Sequence, residues 1–149
     1  MSRFTRTFRV GWADIDVNAH MRNTAYLERS VDVRIMFFAE LGFPVAEMAR
    51  RRIGPVVMKD EVFYYKEMHL LDEFHVSLEA SGLAEDGSRF RLTSEFMRAD
   101  GTIAARVTCT GGWLDLTARK LIVPPDDLLA AMRRLGRTAD FEVLSSSKK

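Results

Sequence analysis

The chain has 149 residues, 47% of them hydrophobic and 10% aromatic, which is the size and composition of one ordinary domain with a proper core, so residues 1–149 are expected to form a single domain. With 22 basic and 21 acidic residues the net charge is +1, which argues against a nucleic-acid partner held by bulk electrostatics. One cysteine, Cys109, excludes an internal disulfide and a cysteine-based zinc cluster. Met1 to Arg9 alternates basic and aromatic residues without an apolar leader core. No apolar run approaches the roughly 18 residues of a membrane span, so no membrane partner and a cytoplasmic location are expected.

In chain order, Arg3 to Gly11 reads as a strand with Phe4, Phe8 and Val10 on one face. A short polar segment follows, from Trp12 to Tyr26, that packs Asp14, Asp16, Asn18, His20 and Asn23 together. Thr24 to Leu41 then reads as a helix, capped by Asn23 or Thr24 and ended by Gly42 and Pro44. Tyr26, Leu27, Val31, Val33, Phe37, Phe38 and Leu41 cover most of its circumference, which predicts a helix largely enclosed by other structure. Arg34 falls inside that apolar arc and needs a carboxylate or carbonyl partner.

From Gly54 onward the apolar period becomes two. Strands are expected over Val57 to Leu70, around Phe74 to Ser81, around Arg89 to Phe96 and around Ile103 to Trp113, with hairpin turns at Asp86-Gly87 and Asp100-Gly101. Gly111-Gly112 signals a bulge or a close backbone approach. Pro124-Pro125 stops the sheet, Asp126 or Asp127 opens a short helix to about Leu135, and Phe141 to Lys149 looks frayed. The fold class is therefore α+β, a long central helix wrapped by an antiparallel sheet of about five strands, with a short C-terminal helix. The sheet's second face carries Arg, Thr, Ser and Glu, so it is either wet or an oligomer surface.

The segment Asp14-Ile15-Asp16-Val17-Asn18-Ala19-His20-Met21-Arg22-Asn23-Thr24-Ala25-Tyr26 resembles the active-site segment of the hotdog-fold acyl-CoA thioesterases, and most closely the 4-hydroxybenzoyl-CoA thioesterase type. The Asp16-to-Tyr26 spacing, the Tyr-Leu-Glu-Arg continuation, Gly42 after the helix and the later Gly-Gly-Trp-Leu-Asp-Leu with its Arg-Lys and Pro-Pro carry the likeness, over roughly Phe4 to Leu135. The resemblance implies hydrolysis of an acyl-CoA to free acid and coenzyme A, the latter being part of the substrate, with no cofactor. It implies a homodimer with helices side by side under a continuous sheet, the site at the subunit boundary, and assembly into a tetramer.

The same resemblance gives the site residues their roles. Asp16 is the nucleophile or the base for water, where the plain alternative is an Asx turn or a helix cap. The backbone amide of Asn23 polarises the thioester carbonyl, as the first amides of a helix can. His20 tunes Asp16, contacts the acyl group or caps the loop. Trp12 and Tyr26 line the acyl pocket or pack the core. Arg119 and Lys120 are the foremost candidates for the phosphates of coenzyme A, ahead of Arg89, Arg91 and Arg106. Asp14 pairs with Arg34 or holds the loop. Cys109, on the apolar face of a strand, is read as core. His69 and His75 are far from His20 in sequence and form no metal-ligand spacing with it, so no metal is implied. Where the family carries glycine after the aspartate pair, Ala19 stands here, and a β-carbon there restricts positive φ. Two other functions remain open. One is an acyl-CoA-binding protein without catalysis. The other is a hydroxyacyl-thioester dehydratase, which the absence of histidine from the central helix disfavours.

Overall fold

The structure is a computed structural model and describes residues 3–148. Its sheet is built on the path β1 (Phe4–Arg9), β3 (Glu73–Ala84), β4 (Arg89–Arg98), β5 (Ile103–Asp115) and β2 (Ile53–Tyr64), all antiparallel neighbours. Two further strands bring the total among the described residues to seven, more than the five expected. β6 (Lys120–Ile122) folds back on the end of β5. β7 (Arg137–Leu144) lies parallel to the second half of β3, so the segment expected to fray from Phe141 is partly sheet. The hairpin turns fall where Gly87 and Gly101 supply positive φ. At Gly111 a β-carbon would meet the Val56 carbonyl oxygen at 2.3 Å, and the facing strand shifts register between Val57 and Lys59. Both readings of the glycine pair are therefore realised, a bulge and a close approach.

The long helix, α1 (Asn23–Glu40), crosses one face of the sheet against β1, β3 and β5. Tyr26, Ser30, Val33 and Phe37 recur at helical spacing and are buried on that face. The enclosure expected for α1 is incomplete, because Val31, Ile35 and Met36 on its other side remain exposed. The cap also differs. Arg22 is the N-cap, with no side-chain cap bond, and Asn23 is already the first helical residue. Arg34 finds a carbonyl and a sulfur, Ser30 O at 3.3 Å and Cys109 Sγ at 2.7 Å, and no carboxylate. A short helix, α2 (Val45–Arg51), fills the stretch after Pro44 and buries none of its residues, so it left no apolar period to read. α3 (Asp126–Met132) is the expected C-terminal helix.

The core lies between α1 and the sheet, centred on Trp113, Phe74, Phe96, Leu78 and Val107. Burying such large apolar side chains stabilises by about 1.5–3 kcal/mol each. The sheet's other face is polar and cross-linked. Glu95 accepts from both Arg3 and Arg106, and Arg91 reaches Ser81 and Glu142 of β7. Buried Ser81 and Thr93 bond each other beneath that layer.

Candidate functional site

The polar segment folds as a tight loop because its main chain closes on itself. The Asp16 amide donates to His20 O and the Ala19 amide to Asp16 O, with Ile15 and Met21 bridged on either side. Ala19 sits at φ +63°, the left-handed conformation that glycine adopts freely, so alanine holds the same turn under strain. A second anchor is Asp14, which is buried. Its carboxylate accepts from the Gly11 amide and takes two bonds from Arg29, at 2.8 and 3.0 Å. The partner of Asp14 is thus Arg29 on α1, five residues before the Arg34 considered from sequence. That choice follows from helix direction, since Asp14 lies at the N-terminal end of α1.

The loop delivers Asp16 to a cavity of about 320 Å³ at the N-terminus of α1. Asp16, His20, Asn23 and Tyr26 all line it, so four of the seven residues singled out from sequence share one site. One Asp16 oxygen accepts the Asn18 amide at 2.9 Å and the His20 amide at 3.4 Å. The plain reading of Asp16 is therefore realised, and it leaves one carboxylate oxygen over. Oδ1 makes the Asx turn, and Oδ2 takes no protein hydrogen bond among the described residues. The backbone amide of Asn23, at the start of an 18-residue helix, likewise has no acceptor there. A helix terminus with open amides is suited to holding a developing negative charge.

Tyr26 is buried, and its hydroxyl is pushed up to about 12, first by burial, then by Tyr64 and Asp16. It stays a neutral phenol at any physiological pH. Tyr64 donates to the Asn23 carbonyl at 2.9 Å and meets the Tyr26 ring edge-on at 5.3 Å. Burial raises the Tyr64 hydroxyl as well.

Sequence reasoning missed the far wall, formed by Tyr64, Tyr65, Lys66 and Glu67. The available signal was the Phe63-Tyr64-Tyr65-Lys66 run, aromatic and basic at the end of a strand. Glu67 also approaches two imidazoles, His20 Nε2 at 2.8 Å and His69 Nε2 at 3.3 Å. His75 is elsewhere, on β3, bonded to Thr7.

Three sequence candidates do not reach this cavity within the subunit. Trp12 stands on a 3-10 turn, 81% exposed, and lines neither the cavity nor the core. Arg119 ends the exposed β5–β6 turn and Lys120 opens β6. In the β2–β5 pair that turn adjoins the Ile53 end, whereas the cavity adjoins the Tyr64 end. Cys109 is buried as expected, and its thiol is pushed up to about 11, mainly by burial, which makes it a poor nucleophile.

A second cavity, about 360 Å³, lies farther along the α1–β2 side. Val31, Ile35, Phe38, Phe43, Met48 and Val57 are among its walls, with Arg34 the only charged group.

A long helix laid across one face of an antiparallel sheet is the architecture of hotdog proteins. The thioesterase-like superfamily model matches residues 10–132, and the chain belongs to that family of enzymes, whose general chemistry is thioester hydrolysis. Solved structures share the fold. A protein from Staphylococcus aureus, solved in complex with CoA, superposes with a TM-score of 0.82 at 23% identity over 89% of this chain and 82% of its own. A 1,4-dihydroxy-2-naphthoyl-CoA thioesterase from Synechocystis gives 0.80 at 17% identity, over 90% and 98%. A gentisyl-coenzyme A thioesterase gives 0.76 at 20% identity, over 86% and 98%. No curated protein matches by sequence. Among the described residues no helix is long and apolar enough to cross a membrane.

Proposed function

We propose that this protein hydrolyses an acyl-CoA thioester to the free acid and coenzyme A. The observation that carries the reading is the meeting of the Asp16 carboxylate and the open Asn23 amide in one cavity, in a chain of the thioesterase-like superfamily. The thioester carbonyl would take the Asn23 amide as its oxyanion donor. Asp16 would attack the carbonyl carbon, giving a mixed anhydride that water then hydrolyses to the acid, or would take a proton from the water that attacks directly; on either route the C–S bond breaks and coenzyme A leaves as its thiolate. Tyr26, which keeps its proton, would be a neutral donor in the cavity it shares with Asp16. His20 orders the loop, its backbone amide on Asp16.

The working unit we propose is a homodimer, itself able to pair into a tetramer. β2 is an edge strand of 12 residues, with Val57, Met58 and Phe63 exposed, and the exposed Val31, Ile35 and Met36 of α1 lie on the neighbouring helix. A long apolar edge of this kind calls for a partner strand. Antiparallel pairing of two β2 edges would carry the β5–β6 turn of one subunit toward the cavity of the other. Arg119 and Lys120 would then join Lys66 near the phosphates of coenzyme A. The apolar cavity beside Val31 and Phe38 would take the acyl group.

The test is thiol release from a panel of aliphatic and aromatic acyl-CoAs, wild type beside Asp16→Asn, with the mass in solution measured on both. Release by the wild type that vanishes in a folded dimeric variant is the expected result. Equal release from both would remove Asp16 from the mechanism. No release by the wild type from any thioester would favour a binding protein.

A further inference from the structure

We propose that His20, Glu67 and His69 form a binding site for a divalent first-row transition metal, zinc being the best match, at the mouth of the Asp16 cavity. One ligand atom from each residue lies within 4.8 Å of the others. The carboxylate of Glu67 is held between two imidazoles, Oε2 facing His20 Nε2 at 2.8 Å and Oε1 facing His69 Nε2 at 3.3 Å. The two rings meet edge to face at 5.4 Å. All three side chains are accessible to solvent, so an ion can enter and the ligands can draw in toward the ~2.0–2.1 Å of zinc–nitrogen bonds. Two imidazoles and a carboxylate suit zinc, cobalt or nickel better than the all-oxygen preference of magnesium or calcium.

Two further features favour an ion over an ordinary ion pair. Asp72 backs His69 from the side away from Glu67. Its Oδ2 lies 3.6 Å from His69 Nδ1 and accepts the His69 amide at 2.9 Å. At 3.6 Å this is a contact and not a hydrogen bond, and a small shift of the ring would close it into the carboxylate–histidine pair that orients a metal-bound imidazole. The two halves of the site are also fixed to each other through the backbone. The Met21 amide donates to Met68 O at 2.8 Å, and Met68 is fully buried. His20 and Glu67–His69 thus flank a rigid joint between loops distant in sequence.

Three protein ligands leave at least one position open. Two of the three, His20 and Glu67, line the cavity, so that position borders it. An ion there would clasp the loop carrying Asp16 to the segment after β2. Binding itself does not involve Asp16, so its failure would leave the reading of Asp16 untouched.

The experiment uses chelator-stripped protein without a polyhistidine tag, titrated with zinc chloride by calorimetry, with thermal unfolding measured in parallel. The wild type and His75→Ala should bind one ion per chain and unfold at higher temperature with zinc. His69→Ala and Glu67→Gln should weaken binding by more than about tenfold, and Asp72→Asn by about tenfold. Cobalt(II) should give visible absorption bands that His69→Ala abolishes. His69 is more than half exposed, so its variant should fold, and its unfolding curve without zinc checks this. No saturable heat in the wild type, or equal affinity in His69→Ala, would overturn the site.

Discussion

The two ends of the cleft between α1 and β2 are built on opposite principles. At the N-terminal end of α1 the cavity is polar, its groups supplied by a strained loop and by the segment after β2. Toward the C-terminal half it is apolar and walled by Phe38, Phe43 and Met48, with Phe38 resting edge-on against fully buried Trp113 at 5.7 Å. The first end gathers polar and ionisable side chains, the ones to which the proposed function gives the chemistry. The second carries packing energy and no chemistry beyond Arg34. Substitutions should therefore separate: rate without stability at one end, stability first at the other.

Asp16→Asn should break the comparison most sharply if it fails. A lost base or nucleophile typically costs about 10²–10⁴-fold in turnover. The Asx turn survives, because the asparagine carbonyl can still accept the Asn18 and His20 amides. Unfolding should therefore move little, as chemical denaturation would measure. A large stability loss would mean that the carboxylate is structural. Phe38→Ala should do the reverse, lowering unfolding free energy by about 3 kcal/mol, the lower end for such a truncation because the ring borders an open cavity. Residual turnover per folded molecule, after correction for unfolded protein, should stay within an order of magnitude on short acyl groups.

Asp14→Asn tests the seam between the two regions. Asp14 is buried and ties the active loop to α1 through Arg29 and the Gly11 amide. Removing its charge weakens charge-assisted bonds worth about 1.5–3 kcal/mol. The expected outcome is a stability loss of that size and a drop in turnover smaller than that of Asp16→Asn. Unchanged stability would show that Arg29 is satisfied by Asp32 alone, 3.2 Å away.

The split also explains what the sequence made legible. Asp16, His20, Asn23 and Tyr26 come from one continuous segment running into the start of α1, so local spacing places them together. Tyr64, Lys66, Glu67 and His69 arrive through long-range closure, the Met21–Met68 backbone bond among others. No periodicity announces such a contact. The same holds for His20 and His69, which look unrelated by spacing and meet in space. The hairpins at Gly87 and Gly101 were readable because each turn is chemically local. β7 was not, because its partner is the distant half of β3 and the pairing is parallel. The enclosure of α1 was over-read for a related reason. An apolar arc reports that a surface is to be covered, not whether the same chain covers it, and Val31, Ile35 and Met36 stay open here.

The smallest effect should come from Ala19→Gly, which sharpens the notion of a loop strained for function. Ala19 is exposed at φ +63°, so its β-carbon contributes strain without packing. A left-handed non-glycine residue costs about 1–2 kcal/mol. Glycine removes that cost and returns about 0.4–1 kcal/mol through the greater freedom of the unfolded chain. The net gain lies between about 0 and 1.6 kcal/mol, or a rise of at most about 6 °C in the unfolding midpoint for a chain of this size. Turnover should stay within about twofold, since main-chain bonds close the loop whichever residue stands at 19. A rise in stability with a fall in turnover would show instead that alanine stiffens the Asp16 loop in its active shape, and that the strain belongs to the mechanism.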